Sequence, residues 1–382
     1  MNLDSALTIL LPLKDRTAFT YRWMSYANAV RSPFNVYIAD GGDEDGAQQA
    51  LSDHSRFPFV RYEYHRYPFD RSLGDFYAKI EDALSRIDTP LVAMAANDDF
   101  FVIDALRQAA AFLIEHPDYV TCGGGCAQFW IDRSRCESKD ALYGTVDWKY
   151  SCDTVVGGAD TARARLRNPL LRGHAFYNHV MRTDLLRAHF HVLRTLQLAN
   201  LFLHEQLIEY LTAIAGKSQV FDTLYIARQW NSPTYGGAYL DVFGDWVGCM
   251  LQPTWSEDFE KFVTVISEAL AAADGLALEE ARRYVIASYR MEMAPAILGA
   301  LMKEPTVTAP GAFVVGIVRR LMAMSRNSKA RRIARALYRR AQWMPVDVLR
   351  GTELWGRPVP QADRDITPLD LFLRRRSPQA AQ

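Results

Sequence analysis

Four short apolar runs punctuate the first hundred residues. Leu7 to Leu13 (LTILLPL) is almost continuously apolar, Asn35 to Ala39 (NVYIA) is a second run, Val60 to Tyr67 alternates less cleanly, and Pro90 to Ala96 (PLVAMAA) is a fourth. Continuous runs of this length fit strands buried on both faces. Between them, Phe19 to Val30, Asp45 to Leu51 and Leu73 to Ile87 carry apolar residues at helical spacing. Strand alternating with helix predicts an α/β fold with a mostly parallel sheet flanked by helices, because parallel strands need crossovers. Further on, Val102 to Glu115 reads as a helix and Tyr119 to Gly125 as a short strand closing on glycines. Residues 126 to 172 read as an irregular, charged excursion or lid. Leu185 to Leu193 and Leu196 to Ala215 return to helical spacing, and Ser218 to Ala227 predicts one more strand.

From Trp255 the pattern becomes helical: Phe259 to Ala273, Leu278 to Met291, and Phe313 to Met344, with breaks at Pro305 and Pro310. This places a soft boundary near residue 250, between an α/β unit (1–250) and a helical region (251–382). Within the latter, Arg319 to Arg340 holds nine basic residues and no acid, interleaved with Leu321, Met322, Ile333, Leu337 and Tyr338. A basic amphipathic helix of this kind suits an anionic membrane leaflet, and the rival reading is a merely solvated face. Residues 357–382, with four prolines and Arg374-Arg375-Arg376, read as a loosely ordered tail.

Charge narrows the partners. Lysine plus arginine and aspartate plus glutamate both total 44, which excludes polyanion binding by bulk charge and gives no case for nucleic acid. The apolar share, 49%, supports a sizeable core. Five cysteines, an odd number without C-x2-C spacing, read as reduced thiols of a cytosolic protein. The N-terminal apolar run is short and has no basic n-region, so it is not read as a secretion signal, and no stretch approaches the 18 apolar residues of a spanning helix.

The unusual residues fall at the predicted strand ends, where ligands of such sheets bind. The second run ends in Asp40-Gly41-Gly42-Asp43-Glu44-Asp45-Gly46 and the fourth in Asn97-Asp98-Asp99. Adjacent carboxylates after a buried strand repel unless a cation or hydrogen-bond donors compensate them. Magnesium or manganese shared with a diphosphate meets that need, although Asp-Asp is also a common cap or turn. The acidic turn at Asp40 can accept from a ribose hydroxyl or base N–H, with Gly41 and Gly42 allowing close approach; the rival is a solvated turn.

In order and spacing, LTILLPLKDR, VYIADGGDEDG and LVAMAANDDFF resemble the nucleotide-binding half of GT-A-type, family-2-like glycosyltransferases over about residues 5 to 230. The resemblance implies a GT-A-like, Rossmann-like fold and transfer of a sugar from a nucleotide-sugar donor to a glycan, lipid-linked or surface-polysaccharide hydroxyl. On it, Pro12, Asp15 and Arg16 form the turn after the first strand, and Asp40 with Gly41 holds the base or ribose. Lys79 faces the nucleotide, Asn97 keeps a ribose contact, and Asp99 with Asp98 holds Mg or Mn. Asn97 stands where the family has an aspartate, which weakens the case for the metal. Arg228, with Trp230, falls near the diphosphate, while His174, Tyr177 and His179 lie beside the sugar. Glu205 in FLHEQLIEY is the implied base of an inverting transfer, with Asp184 and Glu209 as alternatives; a retaining outcome stays open. The expected location is cytoplasmic, peripheral at the inner membrane face. The rivals are a catalytically silent GT-A-like adaptor and a sugar nucleotidyltransferase; the latter expects a glycine-rich phosphate loop that LPLKDRTAF lacks.

Overall fold

Successive residues of the first strands divide between two apolar layers. Leu7, Ile9, Leu11 and Leu13 of β1 (Leu7–Leu13) join one cluster and Leu10 the other. In β2 (Asn35–Asp40), Val36 and Ile38 face the first layer and Tyr37 and Ala39 the second. β4 (Leu91–Met94) repeats the division. This is the two-residue period of a strand with both faces covered, which is why the runs look uniformly apolar in sequence. The computed structural model describes residues 3–131, 142–151, 156–167, 178–232, 249–302, 353–354, 357–358 and 362–374.

The other strands of the main sheet are β3 (Arg61–Arg66), β5 (Asp99–Phe101), β6 (Tyr119–Ile131), β7 (Val146–Ser151), β8 (Val156–Gly157), β9 (Val180–Arg182) and β10 (Lys217–Gln229). Their order is β3-β2-β1-β4-β9-β6-β10-β5, with β7 beside β6 and β8 beside β10. β1 to β4, β6 and β10 run in one direction, and β9 is antiparallel to both β4 and β6. The sheet is thus the mostly parallel, Rossmann-like α/β sheet that the sequence predicts. The chain steps outward from β1 to β2 and β3, then returns to β4 on the other side, and so opens a crevice beyond the carboxyl ends of β1 and β4.

Helices α1 (Thr17–Ala29), α2 (Gly46–Leu51) and α4 (Ile103–Glu115) cover the first face. α3 (Leu73–Ser85), α5 (Ala162–Leu166), α6 (Thr183–Leu196) and α7 (Leu201–Ala215) cover the second. Beyond residue 250, α8 (Trp255–Asp274) and α9 (Leu278–Met302) extend the second-face core through Phe262, Ile266, Val285 and Tyr289. No described helix is long and apolar enough to cross a membrane. The basic segment 319–340 lies outside the described residues.

Two expectations need correction. The strand expected to close at Gly125 continues to Ile131, and the supposedly irregular stretch after it contributes β7, β8 and α5. The glycines are there for close approach rather than termination: a Cβ on Gly123 would enter the His179 ring, and one on Gly124 would sit 2.6 Å from the Thr223 carbonyl. The tail read as loosely ordered contains α10 (Ala362–Arg374), whose Ile366, Leu369 and Leu373 are buried in the first-face core. Its hydrophobic spacing is obscured by Pro368 and by the flanking arginines.

Candidate active site

The parallel register brings Leu13 of β1, Asp40 of β2 and Arg66 of β3 level at one edge of the sheet. At the same edge, Asp99 opens β5 opposite Arg228 near the end of β10. The strand ends singled out in the sequence therefore share one side of the molecule.

The turn after β1 is strained. Asp15 and Arg16 both have positive φ, 57° and 58°, a conformation that costs non-glycine residues about 1–2 kcal/mol each. It is held from the β2 side, where Asp15 Oδ1 accepts from the backbone N–H of Asp43 (2.7 Å) and of Glu44 (3.3 Å). Gly42 is required here, since its Cβ would lie 2.6 Å from Asp15 N. The turn directs the Arg16 guanidinium to Asp98, 3.1 Å away. Phe19 lies between Arg16 and Arg22, whose guanidinium carbons are 4.2 and 4.9 Å from its ring.

Asp98 and Asp99 are buried, each with 4% of its side chain exposed, and each faces an arginine. Asp98 Oδ2 also accepts from Ser232 Oγ. Asp99 Oδ2 accepts from Arg228 Nε at 3.0 Å. Burial raises the Asp99 pKa to about 7 despite Arg228. Asn97 Nδ2 donates to Thr20 Oγ1 at 3.2 Å, which ties the acidic turn to α1. Arg22 is fully buried against the same acids, and burial lowers its pKa to about 10. Its Nη1 donates to the Leu142 carbonyl at 2.8 Å, whereas its other two nitrogens make no hydrogen bond among the described residues.

Glu205 approaches from α7. Its helical neighbours are locked: His204 pairs with Tyr77 and the Leu198 carbonyl, and Gln206 donates to Glu292. Before them, Asn200 caps α7 and its backbone N–H reaches Asp258 of α8. His204 is consequently a neutral structural histidine, its pKa lowered by burial to about 4. Glu205 alone of the three is exposed. Surrounding protein nonetheless raises its pKa, and the Arg228 charge opposes the rise. Of the alternatives, Asp184 is 92% exposed beside Arg187 on α6, away from the acids. Glu209 is half-buried one turn further along α7.

The β2 side is more self-contained than expected. Asp40, proposed for the nucleotide, is 1% exposed. Its Oδ1 accepts from Gly42 N (2.8 Å) and its Oδ2 from Tyr64 (2.6 Å) and Arg66 (2.9 Å), so both oxygens lock the turn. Lys79 does not reach a ligand space either: buried, it donates to the Leu13 carbonyl at 2.7 Å and pairs with Asp70. Gly41 gives Asp70 its room. Pro12 is the one partly exposed position of β1. His174 and Tyr177 lie outside the described residues. His179 is buried with its ring edge-on to Tyr225, centroids 5.7 Å apart.

Arg22, Arg66, Asp70 and Ser232 went unnoticed in the sequence. A basic residue on the apolar face of α1 was the available signal for Arg22; Ser232 offers none, since it meets Asp98 across 134 positions.

A divalent cation takes about six oxygen ligands. Here one oxygen of each acid already faces a guanidinium, and among the described residues no three His, Cys, Asp or Glu side chains converge. With Arg16, Arg22 and Arg228 gathered around two carboxylates, the expected Asp98–Asp99 ligand set does not fit a cation. Among the described residues the cysteines offer no substitute, because burial pushes the Cys126 thiol up to about 12.

No family model matches the chain, and no curated protein matches it. Among solved structures it is similar to S. aureus TarS 1-349 in complex with UDP, at 15% identity over 88% of this chain and 90% of that one, with a TM-score of 0.48. Another is S. aureus TarS, at 13% identity over 88% of this chain and a TM-score of 0.48; this chain spans about half of that one (54%). A third is the mannosyltransferase PcManGT from Pyrobaculum calidifontis in complex with GDP-Man and Mn2+, at 11% identity over 88% and 84% and a TM-score of 0.38. Likenesses this distant say nothing of activity.

Proposed function

We propose that the protein is a glycosyltransferase that moves a sugar from a nucleotide-sugar donor to a hydroxyl of a glycan or lipid-linked acceptor, with inversion. One observation carries the proposal: at the carboxyl edge of a switch-point sheet, the buried acids Asp98 and Asp99 are paired with Arg16 and Arg228, and the Arg228 charge also acts on Glu205. That edge thus combines a candidate base with guanidinium groups.

Glu205 takes the acceptor O–H proton. The freed oxygen bonds to the anomeric carbon as the bond from that carbon to the diphosphate breaks, and the electron pair leaves with the diphosphate. A raised carboxylate pKa suits a base working near neutrality. The cation expected from the sequence has no step here. A lipid-linked acceptor suits the basic segment 319–340, proposed as the contact to an anionic leaflet.

The test is a panel of UDP-, GDP-, CMP- and dTDP-sugars, including UDP-GlcNAc and GDP-mannose, assayed by calorimetry and by hydrolysis or transfer. Turnover of one donor, lost in Glu205→Gln, supports the reading. Binding of none of them removes it.

A further inference from the structure

We propose that Arg16 and Arg228, in place of a divalent cation, receive the donor diphosphate in this site, an inference that rests on the transferase reading above. The two guanidiniums lie in front of the two carboxylates. Arg16 and Arg228 keep 26% and 40% of their side chains exposed, whereas Asp98 and Asp99 keep 4%. An anion entering the cleft meets the arginines before the acids, and a cation bound to the acids would have to displace them.

The arginines are also held in position before any ligand arrives. Arg228 is fixed by backbone register with Asp99, and Asp99 by the β5–β10 ladder. Arg16 is set by the left-handed turn at Asp15-Arg16 and by packing on Phe19. Its Nε makes no hydrogen bond among the described residues. Planar forks anchored by carboxylates are suited to bidentate recognition of phosphate oxygens.

Charge supports the same assignment. Arg16, Arg22 and Arg228 lie against Asp98 and Asp99, and the charge of Arg228 also acts on Glu205, so three guanidiniums already balance three carboxylates before any ligand binds. Carboxylates so compensated have little left to attract a dication, whereas the more exposed guanidiniums can still receive an anion. As the bond to the anomeric carbon breaks, the charge gathering on the diphosphate oxygen is offset by the guanidiniums, the role a metal plays elsewhere.

Calorimetry on the full chain with UDP and GDP, first in EDTA and then with manganese, decides the matter. The expected result is binding of one diphosphate in EDTA, with manganese changing affinity by less than about threefold. Arg228→Gln and Arg16→Gln each weaken that diphosphate about tenfold or more, while the corresponding nucleoside is unaffected. Arg228→Lys, which keeps the charge without the fork, falls between. Affinity that rises tenfold or more with manganese overturns the arginine assignment and leaves the transferase reading standing. Binding of neither nucleotide with or without manganese overturns the arginine assignment, and the wider donor panel above separately decides the transferase reading. Because the cation comparison is made on the wild type, it decides even if a glutamine variant fails to fold.

Discussion

Arg228 and Asp99 are register partners across the antiparallel β10–β5 ladder, and the guanidinium Nε donates to Asp99 Oδ2 at 3.0 Å. Partners placed directly opposite in such a ladder project from one face, so the sheet itself holds this ion pair in the cleft. Removing the Arg228 guanidinium takes from the buried Asp99 carboxylate its hydrogen-bonded partner. Because Arg228 is 40% exposed, Arg228→Gln is expected to cost ~2 kcal/mol, less than the 3–5 kcal/mol of a sealed pair. Adding Asp99→Asn should restore most of that loss. Denaturant unfolding of the four-member cycle measures it, and an additive double variant would show the pair to be energetically idle.

Glu205 governs the expected pH profile of transfer. Burial raises its pKa and Arg228 opposes the rise. A base must be unprotonated, so kcat/KM should climb with pH through a limb lying above the ordinary glutamate range. Arg228→Gln should move that limb further up. Glu205→Gln should abolish transfer at least a hundredfold, in line with general-base contributions, and leave donor affinity unchanged by calorimetry. An unaltered limb in Glu205→Gln would assign the base elsewhere.

Much of the fold was readable because burial on both faces leaves a strong mark. Leu7 to Leu13 emerges with its predicted bounds, and the acidic ends at Asp40 and Asp99 do reach one edge of the sheet. What escaped depends on partners distant in sequence. Asp40 looked available until Tyr64 and Arg66 were found on its oxygens. Lys79 looked like a ligand contact, since nothing local announces Asp70 beneath Gly41. Asp98 and Asp99 looked like metal ligands because repulsion between neighbouring carboxylates demands compensation, and sequence does not say whether a cation or an arginine supplies it.

Asp99 also sets a pH dependence of stability. Its folded pKa, raised by burial to about 7, exceeds the ordinary carboxylate value of 3.8. Between these values the folded state binds more protons than the unfolded one, so this group's contribution is fully present below pH 3.8 and is lost as pH rises through 7. Asp99→Asn removes the titration. The variant's melting temperature is expected to exceed the wild type's above pH 7, by about 4–8 °C per kcal/mol in a small domain and less in a chain this long. Equal pH slopes in the two proteins would refute the assignment.

Lys79 and Asp70 form a second buried pair, both 2% exposed, which joins α3 to the end of β1 through the Leu13 carbonyl. Burial drives the lysine pKa down and the aspartate pKa up, each opposed by the other's charge. Lys79→Met strands a buried carboxylate and should cost about 3–5 kcal/mol, whereas Lys79→Met with Asp70→Leu should recover much of it. Donor affinity should fall in the single variant only in proportion to unfolded protein. A loss of affinity in fully folded Lys79→Met would return Lys79 to the ligand site.

The tail helix carries the last prediction. Trp148 of β7 donates its indole N–H to Asp370 of α10 at 2.9 Å, and Arg374 Nη2 donates to the Val146 carbonyl at 3.0 Å. Phe372 packs on Tyr26 of α1, ring centroids 5.4 Å apart. α10 thus joins β7 to α1, the helix that begins at the Asp15-Arg16 turn and carries Arg22 under the acids. Leu369→Ala, which removes a buried side chain, should cost about 2–4 kcal/mol. Truncation before residue 362 would expose Trp148 and loosen α1, so donor affinity should fall together with stability. If the truncated chain melts at the wild-type temperature and binds donor normally, α10 is an appendage and plays no part in positioning Arg16.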